Sequence, residues 1–595
     1  MCGIFGYIGK KINAGEIVFE GLKFLEYRGY DSWGVAVMPS EVNPKKNSEI
    51  FIEKKAGKIG TSTISDMPRA NISFGHTRWA THGKVTTINA HPHLDCTKRI
   101  ALVHNGIIEN YEEIKRKLIK KGHKFISETD SEVAVHLIED YMKSMDIESA
   151  TRHAFLEFEG LNAFIVMNSG DEKILAVRNG SPLVIGYGKN ENFLASDASA
   201  ILTHTRTVHF INDFEMAILS KEKIIVKNVH TARLVLAKRV NLDWKTDFSD
   251  LGQYPNFMFK EINEQSQLIF NIAKSSAKLI QEIADIIKTR KNCYLLGCGS
   301  ASYVAIAGSY LFAKLAKKQM NPAVGSEFGY QLDFLNKDSL VIALSQSGET
   351  MDILESVKKA KENRASIVAI TNTVGSTLYR EADYKLPLNA GIEISVASTK
   401  ALTAKLSYLI LIAHALAGNM KEGNNMLLKA GRSTEKLLGK DSLKKIKKLA
   451  KKLKNSKNIF VIGRGLSYPA SLETAIKIKE IAYIHAEGMA AGELKHGPLA
   501  LVEKGTPCIS FLPNDETYGA NLAGAMEMKA RRGFIIGISA KPHEVFDYYL
   551  HVEDAGVATI IPNIITGQLL AYYLATIKNL DPDKPRNLAK SVTVK

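Results

Sequence analysis

The chain has 595 residues, 45 % hydrophobic and 24 % charged, with a formal net charge of +16. This is a globular composition, too long for one core and pointing to about three domains. No run of about 18 apolar residues is present, the nearest being 406–420, which Ser407 and His414 interrupt, so no membrane association is expected.

The chain opens "MCGIFGYIG", a short apolar stretch punctuated by Gly3, Gly6 and Gly9. It reads as a buried strand with a tight turn, since a signal peptide would begin with basic residues and carry a longer apolar core. Helices are expected over 15–26 and 111–121. Strands are expected in "ISFGHTRWATHG", "IALVHNGII", "LNAFIVMNSG", "KILAVRNGSPLVIGYG" and "NFLASDASAI". Residues 2–238 thus read as an α+β layered domain, 239–260 as a linker, and 261–288 as helical.

From residue 291 strands and helices alternate, the mark of a parallel α/β sheet. "NCYLLGCGSASY" starts at Asn292 and "NIFVIGRGLSYP" at Asn458, both with G-x-G after an apolar strand. Later strand ends recur in the same register, which argues for two copies of one doubly wound lobe, at 285–425 and 450–580. Nine lysines between Lys440 and Lys457 lie among apolar residues at helical spacing, so they form a solvated helix face. Without aromatic-interleaved basic patches, no nucleic-acid partner is expected. Five cysteines, at 2, 96, 293, 298 and 508, show neither zinc spacing nor a disulfide framework; a reducing cytoplasm and no metal are expected.

Cys2 is the first chemical candidate. Once Met1 is removed, its α-amine, with a pKa of about 8, can take the thiol proton without a separate histidine. The plain alternative is a small buried hydrophobe. Other segments bear on the choice: "YRGYDS" (27–32), "HTRWATHG" (76–83), "HPH" (91–93), "HNGIIEN" (104–110) and "SETDSE" (127–132). With "MCGIFGY" they span the whole first domain, which resembles the glutamine amidotransferases with an N-terminal cysteine nucleophile. The resemblance implies a four-layer αββα N-terminal-nucleophile glutaminase domain. It also implies that Cys2 attacks the glutamine carboxamide, that Asn105 and Gly106 hold the oxyanion, that Arg78 grips the α-carboxylate and that Asp130 takes the α-ammonium. Trp79, Thr81 and His82 match the pocket lining. For His82 and His91 a purely structural role stays open.

"LSQSGET" (344–350) runs from an apolar strand into a helix. Hydroxyls and free N–H groups at a helix N-terminus suit an anion, though simple capping by serine also explains them. No lysine follows the glycine as in a P-loop. With the repeat, this stretch resembles a sugar-isomerase lobe that binds a phosphosugar through Ser345, Gln346, Ser347 and Thr350, and through the loops "GCGSAS" (297–302) and "VAST" (396–399), with Val396 and Ser398. In 475–498, Lys477 and Glu480 share a helix face and His496 sits in "LKHGP", a set suited to proton transfer and ring opening. The tail, 581–595, contains "NLAKSVTV", too apolar for a frayed terminus; Lys590 there can form a Schiff base with a ketose.

End to end, the chain resembles the glucosamine-6-phosphate synthase family, glutamine–fructose-6-phosphate aminotransferases that isomerise as they aminate. The resemblance implies two doubly wound parallel α/β sugar-isomerase lobes after the glutaminase domain, and a tail bridging the domains. It implies glutamine and fructose 6-phosphate as substrates, no cofactor, a homodimer and a cytoplasmic enzyme. Glu480, helped by Lys477, would move the proton, His496 would open the ring, Lys590 would hold the ketose with Ala589 beside it, and Trp79 and Arg586 would couple the sites. One departure stands out: the family's C-G-T-S-Y is here Cys298-Gly299-Ser300-Ala301-Ser302-Tyr303, so either Ser300 or Ser302 carries the usual contact. Two other classes stay in view, a phosphoribosylamine-forming amidotransferase and a sugar-phosphate-responsive regulator. The first would need an acidic pyrophosphate motif; the second would be free to discard Cys2, Glu480 and Lys590, all of which are present.

Overall fold

The computed structural model describes residues 2–40, 49–60, 62–64, 67–242, 251–275 and 277–592. Met1, and residues 243–250 of the expected linker, lie outside the described residues; of the rest of that linker, Val240–Asn241 is a strand of the first unit and the C-terminal end enters helix Phe257–Asn263. The chain divides into two compact units, residues 1–246 with 591–595, and residues 247–590.

The first unit holds an eight-stranded and a six-stranded sheet. Strand Gly3–Gly9 is central to the larger one, antiparallel to both Glu191–Ala195 and Ala70–Arg78. It is buried along its whole length because both faces are covered. Phe5 and Tyr7 pack toward helix Ala14–Leu25 with Val18 and Leu22. Ile4 and Ile8 face the second sheet, meeting the core of Ala101 and Val103. On that sheet's far side, Leu102, Phe164 and Val166 pack against helices Tyr111–Lys120, Glu132–Tyr141 and Ile147–Glu157. Three cores separate four layers, in the order αββα. Sequence analysis did not anticipate the last two helices. Glu132–Tyr141 is buried from Glu132 through Ile138, although its polar residues Glu132, His136, Glu139 and Asp140 share one face at helical spacing, so the period was present in the sequence. Ile147–Glu157 also carried a signal, since Asp146 caps it by accepting from the Ser149 N–H at 2.8 Å.

The second unit holds two five-stranded parallel sheets. One runs in the order Asn321–Val324, Asn292–Gly297, Ser339–Ser345, Ser366–Thr371, Tyr384–Pro387. The other runs His485–Ala490, Asn458–Gly463, Pro507–Leu512, Phe534–Ser539, Tyr548–His551. Both have the 2-1-3-4-5 order of one doubly wound design. The repeat extends to backbone angles: Gly299 and Gly465 turn with φ of 54° and 56°, and the following helices end at Lys317 and Tyr483 with φ of 52° and 54°. The two halves of the sequence therefore obey the same turn geometry as well as the same hydrophobic pattern.

Two expectations need correction. The helical stretch 261–288 is three helices, Phe257–Asn263, Gln265–Ala273 and Ala277–Thr289, because each packs on a different neighbour: Ile560–Ile577, Met420–Leu437 and Lys400–Leu416 in turn. Among the described residues, the segment nearest to a membrane span is Gly556–Ile577 rather than 406–420. It is uncharged but broken by polar residues, and 89 % of its 18-residue apolar window is buried inside the protein. The lysine-rich stretch forms helix Lys440–Leu453, burying Ile446, Leu449, Ala450 and Leu453 and turning its ammonium groups outward.

Candidate active site

In the first unit the antiparallel register sets Gly3 opposite Thr77. Cys2 is thereby carried to the end of strand Ala70–Arg78, where the Trp79 N–H donates to its Sγ at 3.3 Å. The "YRGYDS" segment holds that strand end. Gly29 passes so close that a Cβ would lie 2.7 Å from the Arg78 carbonyl carbon. Asp31 Oδ2 accepts from the Ala80 N–H at 2.8 Å, and Arg28 pairs with Asp197 at 3.0 Å.

Asn105 lies on strand Ile100–Gly106. His76 Nε2 faces its Oδ1 at 3.1 Å, which turns Nδ2 toward Cys2, where it donates to the Cys2 carbonyl at 3.1 Å. Gly106 has φ of 139°, and a Cβ there would meet the Leu161 carbonyl oxygen at 2.2 Å, so only glycine fits. Cys2, Arg78, Trp79, Thr81, His82, Gly106 and Asp130 line one pocket, joined by His91, His104, Thr129 and Ser131. Arg78 also donates to the carbonyls of His82, Gly83 and Lys84, bracing the loop that closes the pocket. Asp130 Oδ2 accepts from the Ile108 N–H at 2.9 Å.

Burial pushes the Cys2 thiol up; the Trp79 N–H and Arg78 work against that rise. Burial also keeps the histidines below the pocket neutral. His76 is lowered to about 3 and His91 falls well below the imidazole range. His91 stacks on His76 with centroids 4.2 Å apart, and its Nδ1 accepts from the His104 N–H at 3.2 Å. Sequence reading quoted the segments holding His104, Thr129 and Ser131 but did not single these residues out. His104 Nδ1 is 2.8 Å from Ser131 Oγ, and its Nε2 is 2.8 Å from Asn162 Oδ1.

In the second unit, strand Ser339–Ser345 feeds a tight loop and then helix Met351–Glu362. The Gly348 N–H donates to Ser345 Oγ at 2.9 Å, the Glu349 N–H donates to Ser347 Oγ at 3.1 Å, and Ser345 Oγ lies 3.4 Å from Thr350 Oγ1. The Gln346 carbonyl accepts from the Asn372 N–H at 3.1 Å.

Lys477 links the two lobes. It lies on helix Ser467–Ala482 of the second, and its Nζ donates to Ser300 Oγ of the first at 3.0 Å and to Glu480 Oε2 at 2.6 Å. The ambiguous serine loop is therefore divided: Ser302 Oγ donates to the Gly299 carbonyl at 2.7 Å, inside its own turn. Glu473, one turn before Lys477 and 3.4 Å from it, is wholly buried. Burial and the Glu480 charge raise it to about 7, with Lys477 opposing. Burial works against the Lys477 charge, but the two glutamates raise its pKa above the usual lysine value. Sequence reading paired Lys477 with Glu480 and passed over Glu473, although the spacing 473, 477, 480 marks one helix face.

Lys590 donates to Glu393 Oε2 at 2.5 Å and to the Ser395 carbonyl at 2.7 Å. Glu393 also accepts from the N–H groups of Thr399 and Ala401 and from Ser398 Oγ. Burial opposes its charge, yet Lys590 and those N–H groups hold it down at about 2. The Val396 N–H donates to the Asp583 carbonyl at 2.9 Å. The Arg586 N–H donates to Tyr483 Oη at 2.7 Å, and its guanidinium lies over the Tyr483 ring. Ala589 is half-buried beside Lys590, while His496 is exposed at the end of the short helix Ala491–His496. Lys405, which the sequence gave no reason to notice, is buried, and burial lowers it to about 8 against the pull of Glu393 and Glu473.

Residues 76–203 match the family described as a glutamine amidotransferase domain, and residues 286–415 and 452–577 match the SIS domain. The class is a glutamine amidotransferase joined to a pair of SIS domains. The chain is 42 % identical over 611 residues to the glutamine–fructose-6-phosphate aminotransferase (isomerizing) of Pyrococcus horikoshii, with 100 % of both chains covered. It is 39 % identical over 634 residues to that of Methanosarcina acetivorans, again with 100 % of both covered. The solved C-terminal domain of glucosamine-fructose-6-phosphate aminotransferase from Francisella tularensis is 32 % identical, with a TM-score of 0.51, covering 57 % of this chain and 100 % of that one. The chain belongs to the glutamine–fructose-6-phosphate aminotransferase (isomerizing) family.

Proposed function

We propose that this chain carries out its family's reaction with the residues described above: fructose 6-phosphate and glutamine are converted to glucosamine 6-phosphate and glutamate. Cys2 Sγ attacks the glutamine carboxamide, with its own amine as base after Met1 removal. Asn105 Nδ2 and the Gly106 N–H receive the developing oxyanion, a contribution of about 3 kcal/mol per donor in a dry site. Arg78 binds the α-carboxylate and Asp130 the α-ammonium; ammonia leaves and water clears the thioester.

Fructose 6-phosphate is held by its phosphate on Ser345, Gln346, Ser347 and Thr350, with Ser300, Val396, Ser398 and Ala589 around the sugar. His496 assists ring opening. Lys590 Nζ adds to the C2 carbonyl and water leaves, giving an imine. Ammonia displaces the lysine, and Glu480, oriented by Lys477, moves a proton from C1 to C2. The ketose-to-aldose shift itself is proton chemistry. Ammonia must reach C2 unprotonated, so Trp79 and Arg586 are assigned to coupling the two half-reactions. The domains are those read from the sequence, with the tail bridging them, and the enzyme acts as a cytoplasmic homodimer.

The observation that carries this reading is the hydrogen-bonded chain Ser300–Lys477–Glu480, drawn from both lobes. The test is to incubate the protein with both substrates and measure glutamate and hexosamine phosphate. Equal amounts are expected; glutamate alone would sink the reading.

A further inference from the structure

We infer that the first unit holds a structural zinc site made by Cys96, His123, His136 and Glu139, separate from the glutamine pocket. The expectation of no metal rested on cysteine spacing, and these four residues lie on three segments with no compact pattern. The fold gathers them. Cys96 follows strand His93–Leu94, His123 follows helix Tyr111–Lys120, and His136 and Glu139 stand one turn apart on helix Glu132–Tyr141.

Four donor atoms lie within 4.8 Å of one another. Cys96 Sγ is 3.8 Å from His123 Nδ1 and 3.6 Å from His136 Nδ1. Glu139 Oε2 is 3.0 Å from His123 Nδ1 and 3.1 Å from His136 Nδ1. A tetrahedral zinc ion, with bonds of about 2.3 Å to sulfur and about 2.0–2.1 Å to nitrogen and oxygen, sets sulfur–nitrogen edges of about 3.6 Å and nitrogen–oxygen edges of about 3.3 Å. These four distances lie within about 0.3 Å of those edges.

The far nitrogens of both imidazoles complete the pattern. His136 Nε2 has no hydrogen-bond partner and lies 3.6 Å from Glu132 Oε1; His123 Nε2 lies 3.5 Å from Asp140 Oδ1. A carboxylate behind a ligating histidine favours the tautomer that offers Nδ1 to a metal; Asp140 stands so behind His123, and Glu132 stands just beyond hydrogen-bond reach of His136. Thiolate and carboxylate together balance the charge of a divalent ion. The mixed sulfur, nitrogen and oxygen set selects zinc over magnesium or calcium. Both histidines are buried, whereas Cys96 is exposed, so an ion can enter from solvent.

An ion-pair cluster is the competing account, with Glu139 accepting from both rings. In that account Cys96 is held by its own N–H, which donates to Glu139 Oε2 at 3.2 Å, and by the Lys124 N–H, which donates to its Sγ at 3.4 Å; retention of zinc through Cys96 separates the two accounts. A zinc ion here would tie the 95–99 turn and the 121–126 loop to the helix whose leading residues, Asp130 and Ser131, line the glutamine pocket. Its effect is on stability and not on the chemical step.

The test uses the full chain carrying Cys2→Ala, which removes the nucleophilic thiol as a competing ligand, with and without Cys96→Ser or His123→Asn. Each protein is stripped with chelator, reloaded with zinc or cobalt(II), and desalted. The parent is expected to retain about one zinc per chain, to melt several degrees higher when loaded, and to show the intense visible bands of tetrahedral cobalt with a thiolate charge-transfer band. Cys96→Ser should lose the charge-transfer band, and both variants most of the zinc, with circular dichroism unchanged. A parent that retains no zinc above the buffer blank, or a cobalt spectrum identical in Cys96→Ser, overturns the site.

Discussion

Lys590 Nζ lies 2.5 Å from Glu393 Oε2, with only 3 % and 0 % of the two side chains exposed. A lysine five residues from a chain end is ordinarily a solvated charge; this one is fixed in position by a buried carboxylate and a carbonyl. Glu393 both stabilises the ammonium and sets where the free amine must appear once it loses a proton.

Replacing Glu393 by glutamine should leave a buried charge unpaired, at a cost of about 3–5 kcal/mol. Synthesis of amino-sugar phosphate should fall steeply while glutamine hydrolysis in the first unit persists. Borohydride reduction with fructose 6-phosphate should add the sugar to the Lys590 peptide of the wild type. A mass spectrum with the adduct on another lysine would remove Lys590 from its assigned role.

The same pair predicts acid sensitivity. Glu393 sits at about 2 in the folded protein against about 4.5 when unfolded. Its contribution is present above the unfolded value and is lost as pH falls through about 4.5 toward 2. Glu473 behaves oppositely. Raised to about 7, it keeps a proton that the unfolded chain releases near 4.5, so its contribution is present at low pH and is lost as pH rises through 7. Melting temperature measured from pH 5 to 8 should show a decline that Glu473→Gln flattens.

Asn105→Ala should lower glutamine hydrolysis about 10²-fold or more in kcat with a smaller change in KM, because the lost donor acts on the oxyanion. Ammonia supplied from solution should restore product formation in this variant. An equal loss with ammonia would mean that the substitution damages more than the first site.

Ser300→Ala should impair sugar turnover, whereas Ser302→Ala, whose hydroxyl serves its own helix turn, should change it little. Equal effects would return the loop to the ambiguity of its sequence.

Trp79→Ala should leave glutamine hydrolysis running but release ammonia, seen as more glutamate than hexosamine phosphate. Unchanged stoichiometry would count against a coupling role for the indole.

The local patterns of this chain were legible without coordinates. The N-terminal cysteine, the adjacent Asn105 and Gly106, the doubled G-x-G strands and the Lys477–Glu480 spacing are short-range patterns, and short-range patterns survive in a linear sequence. Glycines were equally readable at 299 and 465, since a positive φ admits few other residues.

What only the tertiary structure decided is everything that burial and distant approach create. Glu393 becomes the partner of Lys590 across 197 positions, Ser300 the partner of Lys477 across 177, and Cys96 the neighbour of two histidines on separate segments. Helix Glu132–Tyr141 carried its period in Glu132, His136, Glu139 and Asp140, but that Glu132 and His136 would be buried was decided only by packing. Sequence spacing records which side chains share one helix or strand; which elements are packed together, and which charges lose their water there, is settled only when the layers close.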